Sequence, residues 1–195
     1  RQVMTALLTS LAEGFNGSDA RRAELDAALA AGLPGARNEA WKYTSLKALE
    51  RRSFQPAPGV ARLADTSLIA HIPAPRLVLV NGRVDAAASD LDGLAAGISV
   101  QPLSRLLANG EDQARFLGRR YDKAEEIFAR LNGALADEGV VVRLEENARA
   151  DTPLHLVFVA QGEQSELAWH LRHFIELRAG ARLQLVEHHL QQGTA

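Results

Sequence analysis

The residues of this sequence with the widest chemical reach are six histidines, His71, His155, His170, His173, His188 and His189. Imidazole titrates near neutral pH and is the commonest metal-ligating side chain, so such a set raises acid–base or metal chemistry first. The spacing argues against a ready-made cluster. His188 and His189 are adjacent on a strand-like stretch, so they point to opposite faces and cannot chelate one ion together. His170 and His173 are an odd number of residues apart, which in a regular strand separates them in the same way. His155 lies in an apolar run and His71 in a loop-like segment. Glu187, beside His188, is placed to orient or protonate it. A three-ligand site needs convergence that these spacings do not supply, and the histidines read as structural or surface residues. No residue is assigned on the sequence as catalytic, cofactor-binding or metal-ligating.

Other chemistries are narrowed by what is missing. The sequence has no cysteine, which removes disulfides, thiolate ligands and a thiol nucleophile, and fits a reducing compartment. There is no Gly-x-Ser-x-Gly elbow, no Gly-Lys-Ser/Thr phosphate loop and no Gly-x-Gly-x-x-Gly turn. A formal charge of −2 and an aromatic content of 5% give no general attraction to nucleic acid or anionic membrane and no base-stacking surface. The basic residues are dispersed, with Arg21-Arg22 and Arg51-Arg52 as short solvated pairs. No apolar run reaches the roughly 20 residues of a bilayer span, and the N-terminal Arg1-Gln2-Val3-Met4 has no secretion-signal character. The expected location is cytoplasmic.

The elements that must position these residues change character along the 195 positions. Val3, Leu7, Leu8 and Leu11 recur at helical spacing and stop near Gly14. Ser18 or Asp19 can cap a second helix carrying Leu25, Ala28 and Leu29, ended by Gly32 and Pro34. Trp41-Lys42-Tyr43-Thr44 leads into a short helix over Leu46 to Arg51. Its aromatics are expected to anchor the helical part, with Thr44 as N-cap. Arg76 to Val80 reads as a buried strand, and Asn81-Gly82 is a strong hairpin signal before Arg83-Val84-Asp85. Ile98 to Val100 is a further strand candidate. Helices resume after Ser104 and from Asp122 to Leu135, where Ile127, Phe128, Leu131 and Leu135 form one stripe and the acidic start, Asp122 to Glu126, suits the helix macrodipole. Beyond Gly139 the pattern is all β.

Within that β region Val142-x-Leu144-x-x-Asn147-Ala148-Arg149 aligns with Ile175-x-Leu177-x-x-Gly180-Ala181-Arg182. Asn147 and Gly180 are the residue types that best tolerate φ > 0. Stacked coils explain this repeat better than a sandwich does.

Gly32-Leu33-Pro34 followed by Arg37-x-Glu39-x-Trp41-Lys42-Tyr43-Thr44-x-Leu46 resembles the N-terminal signature of SufD-type subunits in the SufB/SufD family of the Suf iron–sulfur cluster assembly system. The Leu77 to Arg83 hairpin, the stretch from Phe128 to Gly139, Pro153-Leu154-His155-Leu156 and Val186-Glu187-His188 continue the match over most of the chain. The lack of cysteine favours the SufD type over SufB. The resemblance implies an α+β fold: an N-terminal mainly helical domain over 1–136 with a hairpin near 76–85, then the first coils of a right-handed parallel β-helix over 137–195. It also implies a C-terminal helical domain that docks a SufC-like ABC ATPase, and pairing of the β-helix with a SufB-like paralogue. The implied role is that of a scaffold, not an enzyme, supporting cluster assembly and iron acquisition, with no cofactor of its own. The missing Met at position 1 and the abrupt end after a strand-like stretch lead us to expect a trimmed chain, with an exposed coil end open to homodimer formation. The rival expectation is a metal-dependent β-helix or cupin-like enzyme using His155, His173 and His188.

Overall fold

A computed structural model of the chain describes residues 4–110, 116, 118, 126–162 and 165–193. The expectations that fall on Val3, on Asp122 to Glu125 and on Thr194-Ala195 lie outside them.

The helical part is built from three amphipathic segments. Helix α1, Ala6–Glu13, starts at Thr5, whose side chain accepts the Leu8 N–H at 3.3 Å, and ends at Gly14. Helix α2, Asp19–Ala31, is preceded by Ser18, whose side chain makes no capping bond. Leu7, Leu8 and Leu11 of α1 and Leu25 and Ala28 of α2 share one core with Ile127, Leu131 and Ala134 of a later helix, Ile127–Leu135. Those positions are the apolar stripes of the sequence, and their common burial is what holds short helices of marginal intrinsic stability.

From Gly32 to Phe54 the chain is mostly turns and irregular backbone. A 3₁₀ turn, Glu39–Trp41, precedes α3, Lys47–Glu50. Leu46 occupies the N-cap position of α3, so the capping role expected of Thr44 is not realised. Gln55–Pro56 forms the short strand β1.

The β part joins segments from both halves of the sequence. Strand β2, Arg76–Val80, turns back through Asn81-Gly82 into β3, Arg83–Val84. Both turn residues have positive φ, 46° and 75°, as the two-residue hairpin turn matching strand twist requires. Strand β4, Ile98–Pro102, is followed by α4, Leu103–Ala108, and the helix Ile127–Leu135 is α5. Then come β5, Val140–Leu144, β6, Leu154–Gln161, β7, Leu167–Ala168, β8, Phe174–Leu177, and β9, Leu185–Gln192.

One sheet has the order β3-β2-β6-β9, with β2, β6 and β9 parallel; a second has the order β4-β5-β8, with β5 and β8 parallel and β4 antiparallel. β1 pairs with β7 in parallel. The fold is thus α+β with mixed sheets, and no barrel closes among the described strands. Three pairings, β1–β7, β2–β6 and β4–β5, join strands on either side of residue 136.

Leu77, Leu79, Val140, Val142, Leu144, Leu154 and Leu156 fill the space between the two larger sheets. Val78, Val80, Val157 and Val159 face the other way and are covered by Leu63, Ile69 and Ile72. Burial on both faces explains why β2 and β6 read as continuous apolar runs and not as alternations. Each such fully buried Val or Leu contributes roughly 1.5–3 kcal/mol relative to exposure.

The internal repeat appears as physical register. Val142 pairs with Ile175 and Leu144 with Leu177, and Arg149 bridges Arg182 in parallel, the same pairs that the sequence alignment matches.

Candidate functional site

The histidines meet only where strand register brings them together. His155 on β6 is buried and His188 on β9 half-buried; their rings approach at 2.9 Å, Nδ1 of His155 to Nε2 of His188. Val157 pairs with His188 in the β6–β9 ladder, which puts His155 and His188 on the same face of adjacent strands. One ring nitrogen must donate while the other accepts, so the pair carries one shared proton in its neutral form. Burial, and then the neighbouring His188, pushes the His155 pKa below its ordinary value. Two charged imidazoles at this separation repel, so uptake of a second proton is disfavoured.

His189, one residue on, takes the opposite face. It stacks on Phe158 with ring centroids 4.9 Å apart, and its Nε2 lies 3.1 Å from Glu187 Oε2. Glu187 therefore partners His189, where the sequence had paired it with His188. His173, just before β8, accepts the Val140 N–H at Nδ1, 3.0 Å, and packs on Phe158 at 5.4 Å. Burial lowers its pKa, against the opposing pull of Glu187. His170 sits at the junction of the helical and β parts, in a cleft shared with Ser10, Phe54, Arg83, Asp137 and Trp169. Its Nε2 is buried without a hydrogen-bond partner, and burial lowers its pKa despite nearby Asp137. Desolvation of the ring disfavours its charged form there. His71 is exposed.

The trio His155, His173 and His188 does not assemble. His155 and His188 meet on one face of the β6–β9 ladder, while His173 packs with Phe158 on the other. Among the described residues no group of three or more His, Cys, Asp or Glu side chains is arranged to hold a metal ion. Among them, too, no helix is long and apolar enough to cross a membrane.

No family model matches the chain. Relatives do. An iron–sulfur cluster assembly SufBD family protein of Synechocystis is 27% identical over 159 residues, covering 80% of this chain and 35% of that protein. The iron–sulfur cluster assembly protein SufD of Escherichia coli is 28% identical over 181 residues, covering 91% of this chain and 40% of that protein. The chain is SufD-like. It spans between a third and two fifths of the length of these relatives.

Three polar residues of this SufD-like chain make architectural contacts that their immediate sequence does not announce. Asp85 is buried and accepts from the N–H groups of Leu63, Ala87 and Ala88 at 2.8, 3.0 and 3.3 Å and from Arg62 at 3.0 Å. Burial opposes its charge, but these donors outweigh it and the pKa is lowered. Asn81 was legible as a turn residue. Its side chain also spans 80 residues of sequence, with Nδ2 donating to the Gln161 carbonyl at 3.0 Å and Oδ1 accepting the Gln161 N–H at 2.8 Å. Glu138 is buried and accepts from Ser104 at both N–H and Oγ, 3.1 and 2.8 Å. The motif feature that could have flagged Asp85 is its place just after the hairpin; nothing local flags Glu138.

Proposed function

We propose that this chain belongs to a scaffold subunit of iron–sulfur cluster assembly, acting in the cytosol and not as a self-sufficient enzyme. The observation that carries this reading is the similarity to a SufBD family protein and to SufD over 80–91% of the chain. In this reading the parallel pairs β5–β8 and β6–β9 are the first coils of a right-handed β-helix. The partners are a SufB-like paralogue and a SufC-like ABC ATPase, and the iron–sulfur cluster is the cargo of the complex, with a contribution to iron acquisition. Neither a resident cofactor nor a nucleic-acid or membrane partner belongs to it.

The parallel stacking supports a coil architecture, since Val141 meets Phe174 33 residues on and Leu154 meets Leu185 31 residues on, and the Arg178–Glu145 ion pair spans the same 33 residues as the first. Strands β8 and β9 lie at sheet edges among the described strands, with Ile175 and Leu177 of β8 exposed. An apolar edge of this kind accepts further strand pairing, either within a longer chain, with a paralogue or with a second copy.

The test is to tag the full-length parent protein in its own cell and identify what copurifies by mass spectrometry. Recovery of an ABC-type ATPase and a SufB-like paralogue in stable proportion supports the scaffold reading. Recovery of neither, over repeated preparations with intact protein, overturns it.

A further inference from the structure

The segment from Gly35 to Lys47 holds a tyrosine where a folded chain has no need of one. Tyr43 is 90% exposed, against an expectation that it would anchor the helical part. The anchor is Trp41 alone, half-buried and 5.4 Å from the ring of Phe128 on α5. The turn that carries Tyr43 is pinned by backbone bonds from Asn38 to Gly35, Trp41 to Asn38 and Thr44 to Trp41, at 2.9, 2.9 and 3.0 Å. The Asn38 side chain also accepts the Gly35 N–H at 3.1 Å. A large amphipathic ring is thus presented to solvent on a turn whose backbone is already ordered. Binding through such a turn loses little conformational entropy.

Its surroundings are cationic. Arg37, Lys42 and Lys47, all within six residues of it in sequence, are exposed, and no ion pair is made by any of the three among the described residues. The Lys42 ammonium lies 5.4 Å from the Tyr43 ring centroid, over its face, a contact that steadies both side chains. Positions 35–52 hold five cations against two acids in a chain of net charge −2. Five of the chain's 22 Lys and Arg residues thus fall in this segment, of which Arg52 is paired with Glu166. Tyrosine and arginine are the residue types that anchor protein interfaces, whereas lysines at the rim steer an oppositely charged partner.

We propose that the Arg37–Lys47 surface docks an acidic segment of a partner protein, with Tyr43 as the anchor and Arg37, Lys42 and Lys47 as the cationic rim. A protein segment fits better than a phosphate polymer or a lipid surface. The cations are few, they flank one aromatic ring, and acids interrupt them at Glu39 and Glu50, whereas polyanion binding rests on neutralising many phosphates.

The experiment places p-benzoylphenylalanine, an aromatic photo-crosslinker, at position 43 of the full-length parent protein in its own cell. Adducts are sequenced by mass spectrometry. Position 60, an exposed valine (76%) outside the basic segment, serves as control. The proposal expects adducts at least tenfold above the control, concentrated on an Asp/Glu-rich segment of one protein, and lost in the Arg37→Glu, Lys42→Glu variant. A synthetic copy of that segment binds the purified parent protein, and Tyr43→Ala weakens it at least tenfold. Adduct yield no higher than the control overturns the proposal. So do adducts on lipid, nucleic acid or a segment without surplus acid, and binding that is unchanged by charge reversal or by Tyr43→Ala.

Discussion

Gly180 lies directly over Asn147 in the stacked corner of the β part: a Cβ built on Gly180 would come within 2.2 Å of Asn147 Oδ1. The Asn147 N–H donates to the Ala179 carbonyl at 2.9 Å, and both residues have positive φ, 59° at Asn147 and 71° at Gly180. The corner therefore asks two things of its second copy, a left-handed backbone and no side chain. Glycine alone meets both. Asparagine tolerates the first copy, where its own side chain fills the space above.

Gly180→Ala is expected to destabilise the chain by about 1–3 kcal/mol from backbone strain, with the collision against Asn147 added. Asn147→Gly removes that collision, so the double variant should recover part of the loss. Urea unfolding of the two single variants and the pair measures it, and strictly additive losses would contradict the contact.

Asp85→Ala should cost at least about 2 kcal/mol, because it strands buried N–H donors. Asp85→Asn, which keeps an acceptor oxygen, should lose less. The folded pKa of Asp85 lies below its ordinary 3.8, so its contribution is present above that value and is lost as pH falls through the folded pKa. The midpoint of urea unfolding, followed from pH 5 downward, should fall less steeply in Asp85→Asn than in the parent.

His155, His170 and His173 all have pKa values lowered from 6.5, in each case chiefly by burial. The unfolded chain then binds more protons than the folded one, and stability rises with pH. It should be fully present above about pH 6.5 and decline as pH falls through the lower folded values. Thermal or urea unfolding between pH 7.5 and 5 tests this; a flat profile would be incompatible with three histidine pKa values lowered by folding.

Asn81→Ala breaks the side-chain clamp on Gln161 as well as the hairpin turn. The expected loss is roughly 2 kcal/mol, with hydrogen exchange accelerating at Gln161 on β6 as well as at the turn. Exchange that changes only in the turn would show that the clamp contributes little.

At the sheet edge, Ile175 and Leu177 are 43% and 46% exposed. The 195-residue chain is expected to self-associate through β8 as its concentration rises, and Ile175→Lys to suppress this without loss of fold, since edge charge blocks strand addition. Sedimentation velocity across a concentration series decides the matter. A monomer at every concentration, or association indifferent to Ile175→Lys, would exclude that edge.

What the sequence determined by itself was whatever obeys a local rule. The stripes of α1, α2 and α5, the Asn81-Gly82 turn and the corner residues Asn147 and Gly180 each follow from periodicity or from φ preference. So does the divergence of His188 and His189 to opposite faces of one strand. Even the register of β5 on β8 was legible, because the repeat encodes it. Tertiary structure alone decided which separate segments meet. It inserted β2 beside β6, brought His155 to His188, turned Glu187 to His189, set His170 half-buried at the junction of helix and sheet, and left Tyr43 in solvent. These choices depend on which apolar faces cover one another and on which distant strands pair, and such contacts between remote parts of the chain leave no mark on the spacing of neighbouring residues.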